Sequence, residues 1–165
     1  MESVANSVHL PPLATPHDRK VIREELQRTL TQLINLSLIG KQFHWSVVGP
    51  GSRSAHLYLD ELVDSWRELA DVVAERAAAL GVAIDGQALT VAGSSWFGPV
   101  PVGPVEAHIA VWEMTRRVAE VAEEVRFRLV PVGEADLVSQ YVLLDVVRTL
   151  EKQQWLLRVQ LGERT

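Results

Sequence analysis

The chain has 165 residues, a formal net charge of −5 and no cysteine. That length predicts one domain with a core large enough to fold without staples, and the missing thiols exclude disulfides, thiolate zinc sites, iron–sulfur clusters and cysteine nucleophiles. A net negative surface with scattered arginines and no lysine-rich run is expected to repel a nucleic-acid backbone. The chain does not open with a basic segment followed by an apolar run, and no apolar stretch reaches roughly eighteen residues, so neither a signal peptide nor a membrane span is expected.

Residues 1–17, with Pro11, Pro12 and Pro16, read as a flexible tail. Asp18 is the expected N-cap of a first helix. Ile22, Leu26, Leu30, Leu33, Leu36 and Ile39 recur at three- and four-residue spacing, which predicts an amphipathic helix from Arg19 to about Val47. Gly49-Pro50-Gly51 ends it. A second helix starts at Ser52 or Ser54 and runs to about Leu80, with Gly81 as its C-cap. Residues 82–102 are rich in Gly, Pro, Ser and β-branched types and predict a long connection with one short helical piece. The third helix is expected over Val105–Leu129, with Ile109, Trp112, Val118, Val121 and Val125 on its apolar side and Pro131 and Gly133 closing it. The fourth starts near Glu134-Ala135-Asp136 and continues to about Leu161, with Leu137, Leu144, Val147, Leu150 and Leu157 on its apolar side. Four long helices, two short turns and one long crossover predict an all-α, ferritin-like four-helix bundle over residues 18–162, with 163–165 as a short C-terminal end. A cytokine-like bundle is the alternative, but it needs two long connections.

His44 lies near the end of the first helix, and His56, Asp60, Asp71 and Glu75 lie on the second. His56 and Asp60 are four residues apart, as are Asp71 and Glu75, so each pair can converge on one ion. At about 1.5 Å per residue the two pairs are about 22 Å apart, so one chain cannot bring both to one metal. Two copies of the second helix packed antiparallel can. The two-fold axis then crosses near residues 65–66, where Trp66 is the expected anchor, and two equivalent sites per dimer follow. Two imidazoles and three carboxylates suit Fe(II), and also Mn(II), Co(II) or Zn(II). The alternative for such carboxylates is an ordinary polar face of a bundle helix.

The run Lys41-Gln42-Phe43-His44-Trp45-Ser46-Val47-Val48-Gly49-Pro50, then His56, Leu59-Asp60-Glu61, Asp71, Ala74-Glu75-Arg76 and Leu80-Gly81, resembles the signature of the Dps family, the DNA-binding proteins from starved cells or miniferritins. Glu151-Lys152-Gln153-Gln154-Trp155-Leu156-Leu157 is similar to that family's last helix. The resemblance covers nearly all of residues 20–160. It implies a hollow homo-dodecamer built from two-fold dimers, with intersubunit ferroxidase centres. There Fe(II) is oxidised by hydrogen peroxide or dioxygen, and ferric mineral is stored inside. It divides the ligands as the helix arithmetic does, with His44, His56 and Asp60 on one subunit and Asp71 and Glu75 on the other. It also places Trp45 beside the centre and an ion pore near the start of the last helix, where Glu134 and Asp136 are candidates. Ser46 stands where the family usually has Asn, and Gly51-Ser52-Arg53-Ser54-Ala55 lacks the family's aromatic before the second histidine. Both changes touch what orients His56 rather than the ligands.

Direct DNA binding near neutral pH is not expected, because the tail is close to neutral and the C-terminus is too short for a basic arm. His9 and His17 would charge only at low pH, and His108 is expected to be structural. The cytoplasm, with possible nucleoid association, is the expected location. A nucleoid-compacting scaffold and a catalytically silent cage are the rival functions.

Overall fold

The computed structural model describes Leu13, residues 15–95 and residues 97–162. The expected flexible tail lies mostly outside that range, as do His9 and residues 163–165. In chain order the elements are α1 (Pro16–Ser46), β1 (Val47–Val48), α2 (Ser52–Ala79), α3 (Ala88–Ser94), β2 (Val105–Glu106), α4 (Ala107–Ala135) and α5 (Leu137–Gln160). The hairpins α1–α2 and α4–α5 pack against each other as a four-helix bundle, and the connection carrying α3 crosses between them. No helix among the described residues is long and apolar enough to cross a membrane.

Local chemistry sets the helix ends. α1 begins earlier than Asp18 suggests: Thr15 is the N-cap, its hydroxyl accepts from the Asp18 N–H at 3.1 Å, and Pro16 opens the first turn, where a missing N–H costs nothing. α2 ends at Leu80 in a Schellman motif. The Val82 N–H donates to the Ala77 carbonyl and the Gly81 N–H to that of Ala78, both at 2.9 Å, with Gly81 at φ +64°. The turn before α2 needs Gly49 at φ +81°, and a Cβ there would run into the Glu106 carboxylate. Val47–Val48 and Val105–Glu106 pair in parallel, so the start of α4 is stitched to the end of α1. This small sheet moves the start of the third long helix from Val105 to Ala107.

Pro131 and Gly133 do not close α4. The helix carries Pro131 internally and runs to Ala135. The Gln140 side chain of α5 donates to the Leu129 carbonyl at 2.9 Å, two residues before the proline, and the absence of a side chain at Gly133 leaves room for that amide. The helix stops at Asp136, which is extended at φ −162° and ψ 111°. Glu134 is therefore in α4, and α5 starts at Leu137.

Asp136 caps α5. Its carboxylate accepts from the Ser139 N–H and pairs with Arg76 of α2, both at 2.7 Å. Burial alone would raise this carboxyl, but the hydrogen bonds from Ser139 and Arg76 outweigh that effect and hold it below the ordinary value. A depressed folded-state value gives stability that is present above the unfolded value, about 3.9, and lost as pH falls through the folded one. Asp136→Asn keeps a capping oxygen and removes the charge facing Arg76. It should destabilise the fold by about 1–2 kcal/mol at neutral pH, and the difference from wild type should vanish in acid. Thermal melts across that pH range check both statements.

The core runs the length of the bundle, from Ile22 and Leu26 of α1 to Leu150 and Leu157 of α5. Trp66 of α2 is its largest fully buried side chain. Its indole N–H donates to Gln153 Oε1 at 2.8 Å, and Gln153 Nε2 donates to Ser65 Oγ at 2.9 Å. The ring lies so close to α1 that a Cβ on Gly40 would come within 2.7 Å of it. Four residues expected on apolar inner faces are instead substantially exposed: Ile109, Trp112, Leu137 and Leu144.

Candidate metal centre

The turn at residues 49–51 lays the start of α2 beside the end of α1 and brings His44 and His56 together. Their rings stack with centroids 3.7 Å apart and an interplanar angle of 24°. His44 Nδ1 is 2.9 Å from the His56 carbonyl, and His56 Nδ1 is 2.9 Å from the His44 carbonyl. A carbonyl oxygen only accepts, so both bonds require a proton on Nδ1. Each neutral ring then keeps its Nε2 lone pair free for a metal ion. The His44 carbonyl is one of the last four of α1, which lack intrahelical donors, so the exchange also satisfies a helix end.

Asp60 lies beside this pair. One of its oxygens lies 3.8 Å from His44 Nδ1, and the same carboxylate forms an ion pair with Lys41. The Lys41 hydrogen bond holds the Asp60 carboxyl below the usual range, with the histidines and the lysine charge acting in the same direction. Lys41 is the residue that sequence reasoning passed over. It sits three before His44 on the same side of α1, a spacing that signals a shared face.

Asp71 and Glu75 lie farther along α2, exposed and with no hydrogen bond or ion pair among the described residues. α2 is one unbroken helix from Ser52 to Ala79, so the separation of about 22 Å between the two ligand pairs stands. Among the described residues no three His, Asp or Glu side chains of the single chain gather to hold one ion.

Trp45 is 70% exposed beside His44, which makes it neither a core residue nor a packed one in this chain. Trp66 has no exposed surface and is committed to Gln153, so it cannot anchor a partner and that expectation is corrected. Among the described residues, the large exposed apolar side chains of α1 and α2 are Leu38, Trp45, Leu57 and Val72. Glu134 is exposed near the end of α4, whereas Asp136 is held by Ser139 and Arg76. His17 is exposed in the first turn of α1, and His108 is exposed at the start of α4.

This bundle, with paired histidines and carboxylates on its long helices, is that of a ferritin-like protein, and the ferritin-like domain family model matches residues 23–165. The chain is 34% identical over 142 residues to the DNA protection during starvation protein of Mycolicibacterium smegmatis, covering 85% of this chain and 76% of that one. It is 35% identical over 156 residues to the fine tangled pili major subunit of Haemophilus ducreyi, covering 94% and 82%. Among solved structures, Mycobacterium smegmatis Dps superposes with a TM-score of 0.87 at 28% identity, covering 94% of this chain and 89% of that one. Dps from Microbacterium arborescens in the high iron form superposes at 0.85 and 27% identity, covering 93% and 100%. The chain belongs to the Dps family of ferritin-like proteins. Iron storage with ferroxidase activity and DNA protection is the general function that membership carries, in a homo-dodecamer built from dimers.

Proposed function

We propose that this protein oxidises Fe(II) at centres shared between two subunits and stores the ferric product inside its shell. In each centre His44, His56 and Asp60 of one subunit face Asp71 and Glu75 of the partner subunit. The reciprocal Nδ1–carbonyl hydrogen bonds of His44 and His56 carry this reading, because they fix the tautomer that a metal-binding imidazole needs. Mixed nitrogen and carboxylate donors hold Fe(II), and the oxygen ligands favour the harder Fe(III) product. Two ferrous ions each give up one electron to hydrogen peroxide, which takes up two protons and leaves as two waters. Peroxide and Fe(II) are consumed together, so hydroxyl-radical formation is suppressed and nearby DNA is protected. Leu38, Trp45, Leu57 and Val72 supply the apolar contact around the shared site, a role first expected of Trp66. Exposed Glu134 is the pore carboxylate in this reading, with Asp136 shaping the corner beside it. The shell works in the cytoplasm, near the nucleoid it protects.

The test is Fe(II) consumption by the assembled protein with peroxide and with dioxygen. Wild type should react faster with peroxide. His56→Ala should lose at least about 100-fold in rate, since even groups that only orient ligands cost about 10–100-fold. Assembled His56→Ala protein that oxidises Fe(II) at the wild-type rate sinks the assignment.

A further inference from the structure

The shared centre implies a register between two copies of α2, and that register brings another pair of residues together. Stepping by four from the site, His56 lies opposite Glu75 of the partner subunit and Asp60 opposite Asp71 of the partner subunit. The next step sets Asp64 opposite Arg67 of the partner subunit. Symmetry repeats the pair on the other side of the axis.

Four observations support this pairing. At about 100° per residue, Asp60, Asp64, Arg67 and Asp71 fall within about 60° of one another around α2, so the central pair shares the face of the ligands. Asp64 and Arg67 are 71% and 57% exposed, and their contact inside one chain is a loose 3.9 Å ion pair, which leaves both free to reach outward. Ser65 and Trp66, nearest the crossing point, are turned inward to Gln153, so they leave the axis to their neighbours. Finally, Arg67 is the only Lys or Arg on α2 between His56 and Glu75, on a stripe otherwise rich in carboxylates. Two such stripes repel unless the arginine of each meets a carboxylate of the other. Packed helices lie about 8–10 Å apart, a gap that an Asp and an Arg side chain span together.

We propose that Asp64 and Arg67 form a reciprocal charge clasp across the two-fold axis, which holds a second copy of this chain in the register that completes the metal centre. The clasp rests on the shared centre proposed above.

The experiment uses full-length Asp64→Arg and Arg67→Asp, each alone and coexpressed, with native mass spectrometry and Fe(II) oxidation as readouts. Both positions are exposed, so both variants fold, and circular dichroism checks this. Alone, each variant sets like charges against each other at the axis. The dimer should weaken at least about tenfold and oxidation should fall with it. Coexpressed, the mixed dimer is complementary at both contacts and keeps two intact centres. It should assemble preferentially and recover oxidation to within about twofold of wild type. An ion pair confined to one chain is restored by reversing both charges in that chain, not by combining the single variants. The clasp is overturned if either variant alone assembles and oxidises like wild type, or if the coexpressed pair stays as impaired as its parents. A coexpressed mixture of His56→Ala and Asp71→Ala is the control. If it regains activity while the charge pair does not, only the clasp fails. If it does not, the shared centre fails and the clasp with it.

Discussion

Assemblies formed from an equal mixture of His56→Ala and Asp71→Ala subunits should regain about one quarter of the wild-type rate of Fe(II) oxidation, although neither parent has appreciable activity. The fraction follows from counting. Random pairing makes half of the dimers mixed. In a mixed dimer one centre has lost ligands from both subunits, while the other draws its histidines and Asp60 from the Asp71→Ala subunit and Asp71 and Glu75 from the His56→Ala subunit. That second centre is intact. A site built within one chain would stay inactive in every combination, and the separation of about 22 Å along an unbroken α2 is the physical reason not to expect one. Stopped-flow oxidation on mixtures verified by mass spectrometry gives the answer. A rate no higher than that of the parents rules out the intersubunit centre.

The second large effect is on stability. Trp66→Ala should destabilise the fold by about 3–5 kcal/mol, the range for emptying a buried aromatic site. The substitution also leaves Gln153 Oε1 without its indole donor in the core, which adds to the loss. For a chain of this size the melting temperature should drop by roughly 10 °C. Trp66→Phe keeps most of the volume and loses the hydrogen bond, so its cost should be about 1–3 kcal/mol. The contrast between a core and an interface role is measurable. An interface tryptophan would shift the oligomer distribution and leave subunit packing alone. Trp66→Ala should lower the melting temperature even where assembly is retained. A variant that melts with wild type contradicts the packing against Gly40 and Gln153 described above.

Much of the fold was readable in the sequence because helices declare themselves locally. The three- and four-residue spacing of Ile22 through Ile39 comes from α1 burying one face. Gly81 marks the end of α2 because the αL position of a Schellman motif favours glycine. The candidate site was readable for the same reason, since His56 with Asp60 and Asp71 with Glu75 are spacings on a single helix. The misreadings arose where distant segments intervene. Pro131 looks like a terminator, yet α4 runs through it to Ala135, with Gln140 of the next helix seated against Gly133 and bonded to the Leu129 carbonyl. Val105 looks helical until it pairs with Val47 across a gap of more than fifty residues. Ile109, Trp112 and Leu144 look like core because hydrophobicity does not say which of two faces is covered.

The sequence by itself determined the helices, their order, the long crossover and the residue types able to hold iron, because each depends on spacing along one strand of chain. The tertiary structure decided how those residues are held. It showed each histidine ring oriented by the other's carbonyl, Lys41 on Asp60, Arg128 buried against Glu25 between α1 and α4, and Trp66 turned to the core. Each of these is a contact between segments whose meeting depends on the packing of whole helices, and periodicity along one helix carries no record of its neighbour's side chains.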